Sequence, residues 1–517
     1  MPIPTRVRKP IPLRGRRSSW PGDAIRDEYS PNALNVRFRF GEVRQTPGRN
    51  VLSGPETNEA ASAICQFPMI DGATIWPMKL ATTKVMRWGN VSPANPRQWH
   101  QVQGTFIPAG SRRWSVAIGE NKFFFCRGDN TIAYWDGLIT SKFQQIVATD
   151  GGTVPRARFL QHLNSHLVGA FTIEGLNTFA NRVRWAESGN FQKWNEANQT
   201  GAGFLDIYDE SEEPIRGFLG LQDRGVVYRR RSIGDLVPTG LADPAFTFQL
   251  RVRGMGCDAP YTVASNGDGH FFLGYDRNVY FWDGISLQRI GDPIREELRA
   301  FASQALIDTY FGVVLLQRQE YWLVLGSDVF VYDYQIGAWS RDSFPSITAV
   351  AEVEDTFNVV TWSTLTTIWS AEMRHWSELS GTISTQIFAS RGDGSSMVID
   401  ENIAYDYFSL GSIIDRVLET PDFYLADPMQ MGTIKRVALI YEYTNNVPFE
   451  AGISTDRGRS WKTQSVIPNT TGVSLIDWNV TAQIVRFRFR ENNALGTFRW
   501  RSYEYEWQSA GDFSGSF

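Results

Sequence analysis

The sequence predicts a mainly β protein, because it is rich in both aromatic residues and turn residues. Its 517 residues include 18 Trp, 18 Tyr and 33 Phe beside 45 Gly and 24 Pro. Aromatic side chains suit pleated, half-buried strands, and Gly and Pro favour the turns between them. From about residue 70 to 380, short strand-like runs alternate with turns of Gly, Asn and Asp, and the clearest helical pattern is PIREELRAFAS at 293–303.

Length, charge and cysteine content limit the class of protein. A chain this long predicts two to four domains. The net charge of −4 indicates no particular partner. The three cysteines, Cys65, Cys126 and Cys257, favour neither a disulfide framework nor a zinc site. This cysteine content suits assembly in a reducing cytosol. The sequence shows no apolar signal segment and no apolar run of the roughly 18 residues that a membrane helix needs. We therefore expect no secretory export and no stable membrane insertion.

Internal repeats predict a β-propeller of six or seven irregular blades. GDNTIAYWDG (128–137) and YDRNVYFWDG (275–284) both end in a Trp-Asp-Gly turn, and DVFVYDYQIGAW (328–339) has a similar shape. Their aspartates are Asp136, Asp283 and Asp333, at intervals that match three blades and then one blade of about 50 residues each.

Paired tryptophans give a second signature. The pairs are Trp88 with Trp99, Trp185 with Trp194, and Trp369 with Trp376, each bracketing a polar loop. We expect them to pack between adjacent blades, since Trp offers a large apolar area and one N–H donor. A platform for a cofactor or a sugar is the alternative.

The predicted organisation combines this propeller with a β-platform or sandwich from the N- and C-terminal parts. The segments are a basic extended arm at 1–19, an N-terminal strand or platform segment at 20–60, the propeller at 61–380, a connecting or tip segment at 381–430 and a C-terminal β-unit at 431–517. The arm carries Arg6, Arg8, Lys9, Arg14, Arg16 and Arg17. It either stays disordered or orders against an acidic partner or nucleic acid.

The C-terminal β-unit contains two informative stretches. In VRFRFR, strict alternation predicts that Phe487 and Phe489 face one way and the arginines the other, as in a two-faced strand and not a nucleic-acid platform. STDRGRSW (454–461) matches the Asp-box turn that recurs in sialidases and related propellers. We expect Asp456 to tie a hairpin turn together, Gly458 to adopt a glycine conformation and Trp461 to anchor the turn in the core.

No catalytic, cofactor-binding or metal-ligating residue is predicted, and no enzyme activity. A sialidase-type glycosidase would also need an arginine cluster, a Tyr–Glu pair and an acid, and one isolated box does not supply them. His162 and His166 have helical metal spacing but are predicted on two strands around an Asn-Ser turn. The acidic residues Asp206, Asp209, Glu210, Glu212 and Glu213 form either a solvated loop or a Ca²⁺ site. G-x-S-x-G, H-E-x-x-H and P-loop motifs do not occur.

One stretch resembles a known family. SPNALNVRFRFGEVRQTPGRNVL (30–52) is similar to the opening of tail nozzle and tail tubular proteins of short-tailed bacteriophages, with matches at Asn35, Gly41, Val43, Pro47 and Gly48. VRWAESGNFQKWNE (183–196), GFLGLQDRGVVYRRRSI (217–233) and HFFLGYDRNVYFWDGISLQRIGDPI (270–294) resemble later segments of that family, in the same order. The resemblance covers residues 30 to about 345 and, more loosely, the C-terminal β-unit.

The resemblance implies a virion tail protein that is assembled in the host cytoplasm. Six copies would form a ring below the tail adaptor, around a channel that retains and then conducts genomic DNA without sequence-specific binding. Tail fibres or a needle would be further partners. We expect a lumen that is not strongly basic, because phosphate contacts would slow the DNA. The alternatives are a receptor- or glycan-binding propeller and a glycoside-processing enzyme.

Overall fold

The structure is a computed structural model that is nearly all β. It describes residues 4–53, 59–69, 75–89, 98–106, 110, 112–198, 201–208, 213–344, 346–355, 384–400, 405–406, 412–425, 430–443, 448–469, 471–492 and 498–512. Within these ranges the helical elements are the α-helix Arg295–Phe301 and the 3-10 turns Gly22–Ala24, Glu196–Asn198, Asp292–Ile294 and Gln304–Leu306. The predicted helix at 293–303 is therefore confirmed.

Seven four-stranded antiparallel blades form a β-propeller in the described part of the chain. Blade 1 contains the strands Ala61–Pro68, Ile75–Ala81, Val85–Gly89 and Gln98–Val102, and blade 2 contains Ser115–Gly119, Lys122–Cys126, Ala133–Trp135 and Gln144–Gln145. Blade 3 contains Arg156–Leu163, His166–Glu174, Asn177–Trp185 and Gly203–Asp206, and blade 4 contains Gly217–Leu221, Arg224–Tyr228, Ser232–Pro238 and Phe246–Arg253. Blade 5 contains Ala264–Ser265, His270–Leu273, Val279–Trp282 and Leu287–Arg289, and blade 6 contains Phe311–Leu315, Glu320–Leu325, Asp328–Asp333 and Ala338–Ser343. Blade 7 contains Ile347–Asp355, Ser384–Arg391, Ser396–Asp400 and Gly48–Ser53.

The repeat spacing read from the sequence is confirmed. Asp136, Asp283 and Asp333 each end the third strand of a blade or directly follow it, in blades 2, 5 and 6. Each carboxylate accepts a hydrogen bond from the backbone N–H two residues later, at 3.1, 2.7 and 3.0 Å respectively. Such a short side chain stabilises the turn locally, which is why the same residue type recurs at the same place in the blade.

The strand Gly48–Ser53 closes the propeller ring. It is the outer strand of blade 7 and runs antiparallel to Ser396–Asp400, with Val51 opposite Met397. From there the chain continues into blade 1, whose first strand shares an apolar cluster with blade 7. Two distant parts of the sequence therefore hold the first and last blades together.

A β-sandwich built from both ends of the chain lies beside blade 6. One sheet contains Val36–Arg39, Glu42–Gln45, Phe498–Asp512, Gln430–Tyr443 and Val473–Ala482, with Thr5–Pro10 paired to Phe498–Asp512. The other contains Ala33–Leu34, Arg416–Glu419, Ile484–Glu491, Phe449–Ser454 and Lys462–Val466, with Phe423–Tyr424 paired to Ile484–Glu491. The predicted combination of a propeller with a sandwich from the two terminal parts is confirmed.

Strand alternation explains the core of the sandwich. Phe487 and Phe489 are each 1% exposed and pack on aromatic rings of the opposite sheet, including Tyr503 and Trp500. Burying a phenylalanine side chain contributes about 1.5–3 kcal/mol. The intervening arginines point to the other face, where Arg486 binds Asp422 at 2.7 Å. The two-faced strand predicted from VRFRFR is thus confirmed.

The segment boundaries differ from the prediction at both ends of the propeller. Residues 48–53 were expected in the platform segment 20–60, but they complete blade 7. Residues 381–430 were expected to be a connecting or tip segment, but Ser384–Arg391 and Ser396–Asp400 belong to blade 7 and Arg416–Glu419 belongs to the sandwich. Alternation shows that a stretch is a strand, but the partner strand is chosen by contacts far away in sequence.

Candidate functional site

The segment 30–52 builds the junction between propeller and sandwich. Leu34 pairs in parallel with Arg341 of blade 6, so one sheet continues from the propeller into the sandwich. Asn35 has a φ of 54°, a left-handed conformation that Asn tolerates better than most residues. Its Oδ1 accepts a hydrogen bond from the backbone N–H of Ser343 at 2.9 Å, and its Nδ2 donates to the carbonyl of Asp415 at 2.6 Å. One side chain therefore links the two bodies.

Arg37 adds a buried ionic contact at this junction. Its Nη1 and Nη2 donate to Asp342 at 2.8 and 2.6 Å, and its Nε donates to Glu320 at 3.1 Å. All three side chains are at most 6% exposed. Burial by itself would lower the pKa of Arg37, but Asp342 and Glu320 outweigh that effect and raise it. A two-pronged guanidinium contact fixes direction as well as distance, so it sets the angle between the sandwich and blade 6.

The basic arm is ordered against acidic groups of its own chain. Thr5–Pro10 is a strand on Phe498–Asp512. The ion pairs of the arm are Arg8–Glu504 at 3.5 Å, Lys9–Asp27 at 2.8 Å, Arg14–Glu28 at 3.2 Å and Arg16–Glu297 at 2.8 Å. Arg6 is exposed, and Arg17 stacks on Trp20 at 3.7 Å. The expectation of a disordered tail is wrong for residues 4–19, because strand pairing and carboxylates from near and distant parts of the chain hold the arm.

The Asp-box forms the hairpin turn between Phe449–Ser454 and Lys462–Val466. Asp456 Oδ1 accepts hydrogen bonds from the Ser454 hydroxyl and the Ser460 backbone N–H, both at 2.8 Å. The hydrogen bond from the Ser460 hydroxyl, followed by those from the Ser460 backbone N–H and the Ser454 hydroxyl, lowers the pKa of Asp456 to about 2. Gly458 has a φ of +86°, as the turn requires. Trp461 differs from the prediction: it is half-buried under Arg488, 4.5 Å from ring centroid to guanidinium, and is not part of the core.

The histidine pair is not arranged as a metal site. His162 and His166 lie on adjacent strands of blade 3, joined by Asn164 and Ser165 with φ values of 45° and 63°. This is the hairpin predicted from the sequence. The His166 ring contacts the carbonyl of Ala186 at 2.7 Å. Among the described residues, no group of three or more His, Cys, Asp or Glu is placed to hold a metal ion.

In the acidic stretch 206–213, Asp206 is bound by an arginine of the same blade. Asp206 accepts two hydrogen bonds from Arg182, at 2.6 and 2.7 Å, while residues 209–212 lie outside the described part.

The three cysteines are free thiols. Burial raises the pKa of Cys65 and of Cys257 to about 12, which keeps both protonated and unreactive at neutral pH. No helix in the described ranges is long and apolar enough to cross a membrane.

The first tryptophan pair packs between blades, as predicted. Trp88 and Trp99 are directly opposite each other in blade 1, with ring centroids 5.4 Å apart. Both contact Phe388 of blade 7, at 5.6 and 6.2 Å. The aromatic cluster therefore reinforces the closure of the ring between its first and last blades.

The second pair has the same role at two different interfaces. Trp185 contacts Phe246 of blade 4, with ring centroids 5.1 Å apart. Trp194 is fully buried in an apolar cluster shared with blade 2. Trp369 and Trp376 lie outside the described residues.

Sequence reasoning missed two basic residues inside the propeller, the half-buried Arg113 and the buried His270. Arg113 lies in the central cavity, which is lined by residues of all seven blades. His270, on the second strand of blade 5, is 0% exposed and contacts Tyr228 Oη at 2.9 Å and the carbonyl of Gly220 at 3.0 Å, both in blade 4. Neither residue has a sequence signal, because each environment comes from strands that are far away in the chain.

The seven four-stranded blades define the chain as a β-propeller protein. No protein-family model matches it, and no curated protein sequence matches it. The WD40 domain of Pan2 from Neurospora crassa is similar with a TM-score of 0.38 and 9% identity, over 70% of this chain and 96% of that one.

Two further solved structures are similar. YCF48 bound to D1 peptide has a TM-score of 0.34 and 12% identity, over 69% of this chain and 97% of that one. PorZ, a surface component of the type-IX secretion system of Porphyromonas gingivalis, has a TM-score of 0.34 and 12% identity, over 81% of this chain and 46% of that one.

Proposed function

We propose that this chain is a structural tail protein of a short-tailed bacteriophage, the nozzle or tubular component, and that it is not an enzyme. The observation that carries the proposal is the position of residues 30–52, the stretch that resembles nozzle proteins. In this chain it supplies Ala33–Leu34, which pairs with both blade 6 and the sandwich, two further strands of the sandwich, and Gly48–Ser53 of blade 7. It therefore joins the propeller to the sandwich. Such a connection suits a component that must keep its shape in an assembly.

Six copies would form a ring below the tail adaptor. The sandwich would form the platform that meets the adaptor, and the propellers would point outward. Genomic DNA would pass through the central channel of the ring without sequence-specific contacts, and fibres or a needle would attach elsewhere. The buried contacts of Arg37 support this division of roles, because they fix the propeller relative to the platform.

The decisive experiment is electron microscopy of the purified chain at high concentration, with particle mass measured in parallel, alone and with the tail adaptor of the same genome. Six chains of 58.5 kDa give a ring of about 351 kDa. A sixfold ring under either condition supports the proposal. Particles of one chain under both conditions would overturn it and favour the receptor- or glycan-binding alternative, for which a glycan-binding screen is the next test.

A matched pair of variants tests which body builds the ring. Phe40, at the tip of the hairpin between Val36–Arg39 and Glu42–Gln45, is 80% exposed, and Leu176, at a hairpin tip of blade 3, is 100% exposed. If the platform forms the ring, Phe40→Ser lowers the fraction of rings and Leu176→Ser leaves it unchanged. The opposite result would assign ring formation to the propeller.

A further inference from the structure

The centre of the propeller contains a cavity of about 280 Å³. Each blade contributes residues of its first strand, or residues just before that strand, to its wall. The wall mixes polar and apolar surface in about equal parts, and its apolar part includes Phe159, Phe218 and Phe311. This volume is slightly below the range typical of drug-sized ligands, so it suits a smaller molecule.

Arg113 is the only charged residue among the described residues of the wall. Its guanidinium lies 4.0 Å from the ring centroid of Phe311, so one face is covered by an aromatic ring. No carboxylate in the described part of the chain forms an ion pair with it, unlike its neighbour Arg112, which lies 4.0 Å from Asp129. Stacking covers a face of the guanidinium but leaves the N–H donors on its edge available.

Other polar groups of the wall bind neighbouring blades. The Ser115 hydroxyl accepts a hydrogen bond from the backbone N–H of Leu160 at 2.9 Å. Gln161 accepts one from the backbone N–H of Gly220 at 3.4 Å. These hydrogen bonds join blades 2, 3 and 4. Among the described residues, the guanidinium of Arg113 makes no comparable hydrogen bond to a neighbouring blade.

Arg113 is cationic under ordinary conditions. Burial lowers its pKa to about 10, and the phenol of Tyr261 offsets this effect only in part. At neutral pH a guanidinium with that pKa remains protonated. Arg113 is half-buried, and desolvating a cation that has no carboxylate partner is costly. A bound anion would offset that cost.

We propose that the central cavity binds a small organic carboxylate, whose oxygens accept hydrogen bonds from Arg113 while its apolar part lies against the phenylalanine rings of the wall. One cation matches one negative charge, which disfavours a phosphate dianion. The two oxygens of a carboxylate match the paired N–H donors of a guanidinium. The hydroxyl of Tyr261, which lies 3.4 Å from Arg158 Nε, is a further donor at the wall.

Isothermal titration calorimetry of the full chain with benzoate tests the proposal. Benzamide, its neutral isostere, and inorganic phosphate are titrated at the same ionic strength. A blocked peptide with a single glutamate distinguishes a free carboxylate from one carried by a polypeptide. The variants are Arg113→Met, which removes the charge at similar length, and Arg112→Met, the matched control outside the wall.

We expect benzoate or the glutamate peptide to bind, with affinity at least about tenfold weaker in Arg113→Met and unchanged in Arg112→Met. Binding of the peptide alone would identify a polypeptide as the source of the carboxylate. Equal binding of benzamide, tighter binding of phosphate, unchanged affinity in Arg113→Met, or no binding of either carboxylate would overturn the proposal. If Arg113→Met does not fold, Arg113→Lys replaces it, since it keeps the charge but loses the paired donors and should bind more weakly than the wild type.

Discussion

His270 predicts a specific loss of stability in mild acid. Its Nε2–H donates to the carbonyl of Gly220, so its Nδ1 carries the lone pair that accepts the hydroxyl proton of Tyr228. This arrangement requires a neutral ring. A second proton on Nδ1 would face a hydroxyl that already donates to it, in a site that is 0% exposed.

The sign and size of the effect follow from the pKa. Burial lowers the pKa of His270 from 6.5 to about 4. The stability contributed by the neutral ring is fully present above the unfolded value and is lost as the pH falls from 6.5 towards 4. From these two values the loss is about 2 kcal/mol at about pH 5.

Denaturant unfolding of the wild type and of His270→Gln, at about pH 7.5 and pH 5, measures the effect. A glutamine amide offers one donor and one acceptor group but does not titrate. The variant should be less stable than the wild type at the higher pH, and the difference should shrink by about 2 kcal/mol at the lower pH. Imidazole NMR signals should give an apparent pKa near 4. Parallel pH dependence in the two proteins, or a measured pKa near 6.5, would refute the reasoning.

Two further predictions concern the sandwich and its junction. Arg37→Met leaves the buried carboxylate of Asp342 without its bidentate partner and should lower the free energy of unfolding by about 3–5 kcal/mol. Arg436→Met, at an exposed ion pair, should leave it unchanged in the same denaturation assay, and an equal loss in both variants would contradict the role of burial. Asp456→Ala should destabilise the Asp-box hairpin, which would be measured as faster amide exchange at residues 454–461. In the wild type, the ionised Asp456 contributes stability that is lost as the pH falls from about 4 to about 2, and the variant should lack this contribution. Unchanged exchange in that turn would show that its hydrogen bonds do not hold it.

Local patterns in the sequence determined the strands and turns. The recurring Asp136, Asp283 and Asp333 located three blades, because each aspartate stabilises its own turn through a neighbouring backbone N–H. Alternation in VRFRFR assigned Phe487 and Phe489 to the core, because period 2 is a property of the strand itself. These features depend on residues close together in the chain, so the sequence alone was sufficient for them.

The tertiary structure decided which strands pair and which buried groups meet. Residues 48–53 alternate like any strand, but only the closed ring shows that they complete blade 7. Arg37 meets Asp342 across 305 positions of the chain, and the surroundings of Arg113 combine all seven blades. Pairing and charge burial depend on distant residues that approach only when the chain is folded, and no local pattern encodes that distance.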